Sequence, residues 1–238
     1  MTTEYHRITV GGLAVEIVRK PIKNLHLGVY PPMGRVRVAV PLAVDDEAVR
    51  LAVVGKLGWI KRQQAKFQAQ PRQSERHMVS GESHYFLGRR YRLRVQETTG
   101  PMRVALRGTA TLDMFVRAGM STERRERLLH DFYRVELKRR VPQLLESWQP
   151  RLGVDVSAWG IKRMKTKWGT CNIEAKRIWL NLELAKTPVQ CLEYVLVHEM
   201  THLLERHHNN QFIGLLDQQL PQWRVLRDEL NRSMLPAF

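Results

Sequence analysis

Apolar and polar residues alternate along most of the first half of the chain and shift to a helical period in the second. Ile8 and Val10 precede Gly11-Gly12, and Leu13, Val15 and Ile17 follow, which is the pattern of a strand, a tight turn and a second strand. Residues 25–30 and 36–40 read as two more strands, joined across Pro31-Pro32-Met33-Gly34. Asp45 or Asp46 can cap a helix, and Val49, Ala52, Val53, Leu57, Ile60 and Phe67 then recur on one helical face. One helix to about residue 68 is expected, weakened locally at Gly58. A polar loop over 70–84, with Pro71, Ser80 and Gly81, separates it from four short strands at 85–87, 91–95, 102–106 and 111–116.

Ser121 and Thr122 offer caps for a helix marked by Leu128, Leu129, Phe132, Tyr133, Val135 and Leu137, which Pro142 should kink or end. Residues 161–164, 167–171 and 177–182 read as strands. Thr187 as cap and Pro188 as first residue open another helix, whose core side is Val189, Leu192, Val195, Leu196, Leu203 and Leu204. Helices over 209–219 and 221–233 close the chain. The expectation is an α+β protein in two parts: a β-rich region with one long helix over 1–118, and a second domain over 119–238. No internal repeat is visible.

Within the helix that follows Pro188 lies His198-Glu199-Met200-Thr201-His202, an H-E-x-x-H pattern. Residues four apart share a helix face, so two imidazoles can grip one Zn²⁺ while the glutamate faces the open side of the metal. A third ligand is needed. His208 follows six residues after His202, which on a continuous helix would leave it about 240° away, so the chain must leave the helix between them. No glycine marks that exit; Asn209 and Asn210 tolerate left-handed geometry and can cap the next helix. His207 and Glu229 compete with His208 for the third position. Three such ligands and one open position describe a catalytic zinc, whose bound water has its pKa drawn toward about 7, with Glu199 as the base that takes its proton.

Charge widens the choice of partner. The 238 residues hold 39 Lys and Arg against 23 Asp and Glu, a formal net charge of +16. Such a field attracts nucleic acid, nucleotides or acidic protein. On a strand, Arg163, Lys165 and Lys167 would share a face near the metal and recruit an anionic substrate. Cys171 and Cys191 lack the spacing of a redox pair or zinc knuckle and read as small buried hydrophobes. With no apolar leader and no long apolar run, a soluble, cytoplasmic, monomeric protein with no membrane partner is expected.

These stretches resemble the YgjP-like metallopeptidase family, relatives of the SprT-type metalloproteases. Lys167-Trp168-Gly169-Thr170-Cys171 is similar to the family's R-W-G-S-C stretch, and Asn181-Leu182 falls at its L-N-W strand. Val197 to Leu203 is similar to V-H-E-L-x-H-L, and His208 with Phe212 to H-x-x-x-F. Val79-Ser80-Gly81-Glu82, Tyr85 and Leu87-Gly88-Arg89-Arg90-Tyr91 resemble its middle segment. The resemblance implies a zincin-like C-terminal domain, His198, His202 and His208 as zinc ligands, and Glu199 as the base. Lys167 and Thr170 depart from the family's Arg and Ser, and Arg206-His207 from its commoner turn pair. Zincins lay peptide substrates along an edge strand before the metal helix, and 177–182 is the expected edge here, with Asn181 at the substrate. Three functions follow as expectations: peptide hydrolysis, including that of DNA-associated proteins; hydrolysis of a nucleoside triphosphate such as UTP; and nucleic-acid binding around a relict metal site.

Overall fold

The computed structural model describes residues 5–30, 34–69 and 76–232. Pro31-Pro32-Met33, Pro71, the end of the last expected helix and the Phe67 side chain fall outside what is described. The chain forms two compact units, 1–73 and 74–236.

In the first unit, β1 (Tyr5–Val10) and β2 (Leu13–Lys20) form the expected antiparallel hairpin. β4 (Arg35–Pro41) runs parallel to β2, and β3 (His26–Tyr30) closes the other edge antiparallel to β4, giving the order β1-β2-β4-β3. Val15, Ile17, Val36, Val38 and Val40 alternate onto one buried face, covered by Val49, Val53 and Ile60. These come from α1 (Asp46–Val54) and α2 (Leu57–Ala69). One helix was expected here. The break falls at Gly55-Lys56, where Gly55 caps α1, and not at Gly58. Asp45 is the N-cap, accepting from the Ala48 amide at 2.8 Å.

The second unit starts with the same topology. β5 (Ser83–Phe86) and β6 (Arg89–Glu97) form a hairpin, β8 (Thr111–Val116) runs parallel to β6, and β7 (Arg103–Arg107) lies antiparallel beyond it, in the order β5-β6-β8-β7. The chain therefore contains a topological repeat that its sequence does not display. Side-chain identity differs at matching positions, and only the alternation and a glycine-bearing turn are shared.

α3 (Thr122–Leu152) follows and runs through Pro142 without ending. Leu129, Tyr133, Leu137, Val141, Leu145, Trp148 and Leu152 are all buried along it. That continuous stripe offsets the roughly 3 kcal/mol a helical proline costs. Gly153, left-handed at φ 65°, closes the helix.

A three-stranded sheet comes next, in the order β10-β11-β9: β9 (Ala158–Lys162), β10 (Gly169–Asn172) and β11 (Arg177–Asn181). β11 is parallel to β9 and antiparallel to β10. A 3-10 turn (Leu182–Lys186) leads into α4 (Val189–Thr201), and α5 (Asn210–Gln219) and α6 (Trp223–Arg232) complete the unit. Pro188, and not Thr187, is the N-cap of α4; the Thr187 hydroxyl donates back to the Leu184 carbonyl at 3.0 Å.

The expected boundary at 118 differs from the division at 73/74. One apolar core runs from Phe86, Leu93 and Met114 through Tyr133 and Leu137 to Leu192 and Leu196, so a cut at 118 would open it to water. The β5–β6 turn also donates two backbone hydrogen bonds to the 3-10 turn, Leu87 to Ala185 at 2.8 Å and Gly88 to Lys186 at 3.1 Å. Gly88 has φ 78°, and a Cβ there would lie 2.8 Å from the Pro188 ring. Glycine is required twice over, and the start of α4 is thereby fixed. No described helix is long and apolar enough to cross a membrane.

Candidate metal centre

α4 is buried on nearly every side, with Cys191, Leu192, Val195, Leu196, Val197 and Met200 inside. It carries His198 and Glu199 on its last turn and ends at Thr201, leaving His202 as its C-cap. The chain leaves the helix through turns closed by Leu203 to Met200, Leu204 to Thr201 and Glu205 to Thr201. The Glu205 carboxylate then accepts from the His207 amide at 2.9 Å. No residue of this exit is left-handed; the side chain of Asn209 caps α5 by accepting from Phe212 at 3.0 Å.

The exit brings His208 back to its two partners. One ligand atom from each of His198, His202 and His208 lies within 4.8 Å of the others, and His198 Nε2 and His208 Nε2 are 3.0 Å apart. The His207 side chain is not among them, and Glu229 lies 3.7 Å from the Cys191 thiol. The Phe212 ring supports all three imidazoles, with centroids 4.7–5.0 Å away.

A tetrahedral zinc with Zn–N distances of about 2.0–2.1 Å needs nitrogens roughly 3.3 Å apart, which this cluster meets with small side-chain adjustments. The His202 Nδ1 is 3.1 Å from the Glu205 carbonyl, so Nδ1–H donates outward and Nε2 keeps its lone pair for a metal. Burial, followed by the neighbouring imidazoles, holds His198 down at about 3, and burial also lowers His202. Neutral nitrogen donors without a thiolate suit a catalytic zinc.

Glu199 lies under β10, the edge strand. It is buried at 6% exposure, and burial raises it to about 7 against the opposing pull of Lys167 and the Cys171 amide. A Cβ at Gly169 would lie 2.6 Å from the Glu199 carboxylate, so the bare glycine is what lets the strand pass so close. A carboxyl group near neutrality is suited to taking up and releasing a proton. The Cys171 thiol, raised to about 11 by burial and then by Glu199, stays protonated and half-exposed on the cavity wall, unlike the buried Cys191.

The cluster opens on a cavity of about 940 Å³ walled by Trp168, Ile173, Tyr194 and Leu203, with Lys167, Arg206 and Arg227 as cations. Tyr194 stacks on Trp223 and meets His198 edge-on at 5.8 Å. Its place four residues before His198 was a usable sequence signal. Nothing in the sequence pattern pointed to Arg227, which arrives from α6.

Several expected contacts fall elsewhere. Residues 163–168 form a loop and not a strand, so Arg163, Lys165 and Lys167 share no strand face. Arg163 is 3.8 Å from Glu126 of α3, and of the three only Lys167 lines the cavity. β11 is the central strand and not the edge; β10 and β9 hold the two edges, and β10 is the one beside Glu199. Asn181 is fully buried and serves that loop: its side chain donates to the Met164 and Lys167 carbonyls at 2.8 and 2.7 Å and accepts from the Met164 and Glu183 amides at 3.3 and 3.2 Å. With every bond spent on backbone, it has none left for substrate.

A histidine cluster with a buried glutamate at the head of a mixed cavity is the arrangement of a metal-dependent hydrolase. The chain belongs to the YgjP-like family: the model of the YgjP-like metallopeptidase domain matches residues 23–233. Among solved structures it is similar to the metallopeptidase zymogen of Pyrococcus abyssi abylysin, at 19% identity and a TM-score of 0.38, over 41% of this chain and 98% of that one. No relative was matched among curated proteins.

Proposed function

We propose that this protein is a zinc-dependent metallopeptidase with a zincin-like site. The observation that carries the reading is the burial of Glu199 between the converged histidines and the edge strand β10. His198, His202 and His208 would hold the ion. When bound, zinc supplies Lewis acidity that activates water and polarises a carbonyl. Glu199 accepts the proton of the attacking water on a carboxylate oxygen and returns it to the leaving amine. The Cys171 amide orients that carboxylate. An extended polypeptide adds to the free edge of β10 through backbone hydrogen bonds, which places its carbonyls beside Glu199.

The cations Lys167, Arg206 and Arg227 on the cavity wall favour a second reading, hydrolysis of a nucleoside triphosphate. One experiment separates them. Zinc-loaded protein is offered an unfolded polypeptide and, separately, a nucleotide panel. Peptide products with wild type and none with Glu199→Gln support the peptidase. Nucleotide hydrolysis lost in the same variant supports the second reading. Equal behaviour of wild type and Glu199→Gln on both substrates defeats both.

A further inference from the structure

The second unit's four-stranded sheet buries one face and leaves the other open. Tyr91, Leu93, Leu112, Met114 and Val116 point into the core. On the opposite face the strand registers set out rows of basic and aromatic side chains. Tyr85 faces Arg90. Arg92 lies beside Thr111, with Arg107 beyond it, and Arg94 beside Asp113. Phe115 sits between Gln96 and Arg103.

This face carries five arginines against one carboxylate, Asp113. Arg94 occupies that carboxylate with two hydrogen bonds of 2.8 Å. Arg90, Arg92 and Arg107 are exposed and, among the described residues, have no carboxylate partner. Arg103 lies over the Phe115 ring at 4.3 Å, and Tyr85 is 46% exposed.

The first unit carries a comparable face on its own sheet of the same topology. Tyr5, Arg7, Tyr30, Arg35 and Arg37 surround a single carboxylate, Glu16. Glu16 is shared by Arg7 and Arg35. The same combination of arginine and exposed tyrosine, with each carboxylate neutralised, thus occurs twice in the chain.

We infer that the open face of the β5–β8 sheet binds single-stranded nucleic acid. Unpaired guanidinium groups attract phosphates, and flat aromatic rings between them stack on bases. An acidic polypeptide would meet the guanidinium groups with carboxylates but need place no ring at Tyr85, whereas a single strand carries a base beside every phosphate. A duplex keeps its base faces stacked inside, and an open sheet face presents no helix or ribbon to enter its grooves. The surface lies outside the catalytic reading and does not depend on it.

The test uses the full-length zinc-loaded protein and fluorescence anisotropy. Labelled single-stranded DNA, single-stranded RNA and duplex DNA of one length are titrated, with phosphatidylserine vesicles in a parallel flotation assay. Single strands of either sugar are expected to bind more tightly than duplex or vesicles, and any difference between DNA and RNA reports on the sugar. The triple variant Arg90→Gln, Arg92→Gln, Arg107→Gln should bind at least about tenfold more weakly, with a salt slope shallower by about 2, since each lost phosphate contact on a single strand removes about 0.7. Tyr85→Ala should bind about fivefold or more weakly with its salt slope intact. Thermal melts establish that both variants fold. Unchanged binding in either folded variant, or duplex or vesicles bound as tightly as single strands, would overturn the inference.

Discussion

Replacing Gly169 with alanine tests whether the edge strand positions the base. A Cβ at this position would sit 2.6 Å from Glu199 Oε1, 2.7 Å from its Cγ and 2.9 Å from its Cδ. Ordinary contacts of this kind are about 3.4 Å or more, so the carboxyl group must retreat by somewhat under 1 Å. The glycine is not in a left-handed conformation, so alanine brings no backbone strain. The cost to the fold is therefore that of local overpacking, about 1–3 kcal/mol. The cost to catalysis is larger in proportion, because a misplacement near 1 Å can lower a rate by about a hundredfold. The expected result is a fall in kcat of about ten- to a hundredfold, with zinc affinity within about twofold of wild type. Turnover of a quenched fluorogenic polypeptide gives the first quantity, and chelator competition gives the second. Wild-type kcat in a folded, zinc-replete Gly169→Ala protein would refute the positioning of Glu199 by β10. Loss of zinc affinity in step with activity would refute the view that strand and ligands are separable.

Three more predictions follow from neighbouring features. Asn181→Ala leaves the buried Glu183 amide and the part-buried Met164 amide, Met164 carbonyl and Lys167 carbonyl without this partner; it should lower stability by about 1–3 kcal/mol in urea titration, whereas a substrate-contacting role would leave stability near wild type and raise KM. His208→Ala removes the third nitrogen of the cluster and should weaken zinc binding by at least about a hundredfold in chelator competition; an unchanged affinity would place the ligand elsewhere. His130, on α3 and 12% exposed, is lowered to about 4 by burial and then by Arg163 and Lys186. The unfolded imidazole titrates near 6.5, so between about pH 6.5 and 4 unfolding takes up a proton and stability falls as acid is added. After allowance for solvent screening this loss is about 1–2 kcal/mol. His130→Gln should lack that share of the acid sensitivity, and an identical pH profile for the two proteins would exclude it.

Local chemistry was well marked in the chain. Alternation placed the eight strands of the two larger sheets, and the i, i+4 histidines on an apolar helix marked the site. What failed depended on partners distant in sequence. Pro142 was expected to kink or end α3; it does not end it, because the core on both sides of it holds the helix together. Strand β11 looked like an edge because its order among β9 and β10 is a tertiary fact. Asn181 read as a substrate contact because a polar residue beside a motif carries no label for the backbone groups it will meet. The exit before His208 needs no left-handed residue, only consecutive turns. The β5–β8 sheet joins a core contributed by helices that come later, a contact that the order of elements along the chain does not display.

The docking of the β5–β6 turn onto the 3-10 turn has a consequence for the order of folding. Gly88 meets Pro188 across roughly a hundred residues of chain, and closing a loop of that length costs entropy before any contact rewards it. The helix bearing His198 and Glu199 is therefore fixed at its start by a hairpin synthesised long before it. A misfolded β5–β6 hairpin would leave the start of α4 without the turn that fixes it, even with His198, His202 and His208 all present.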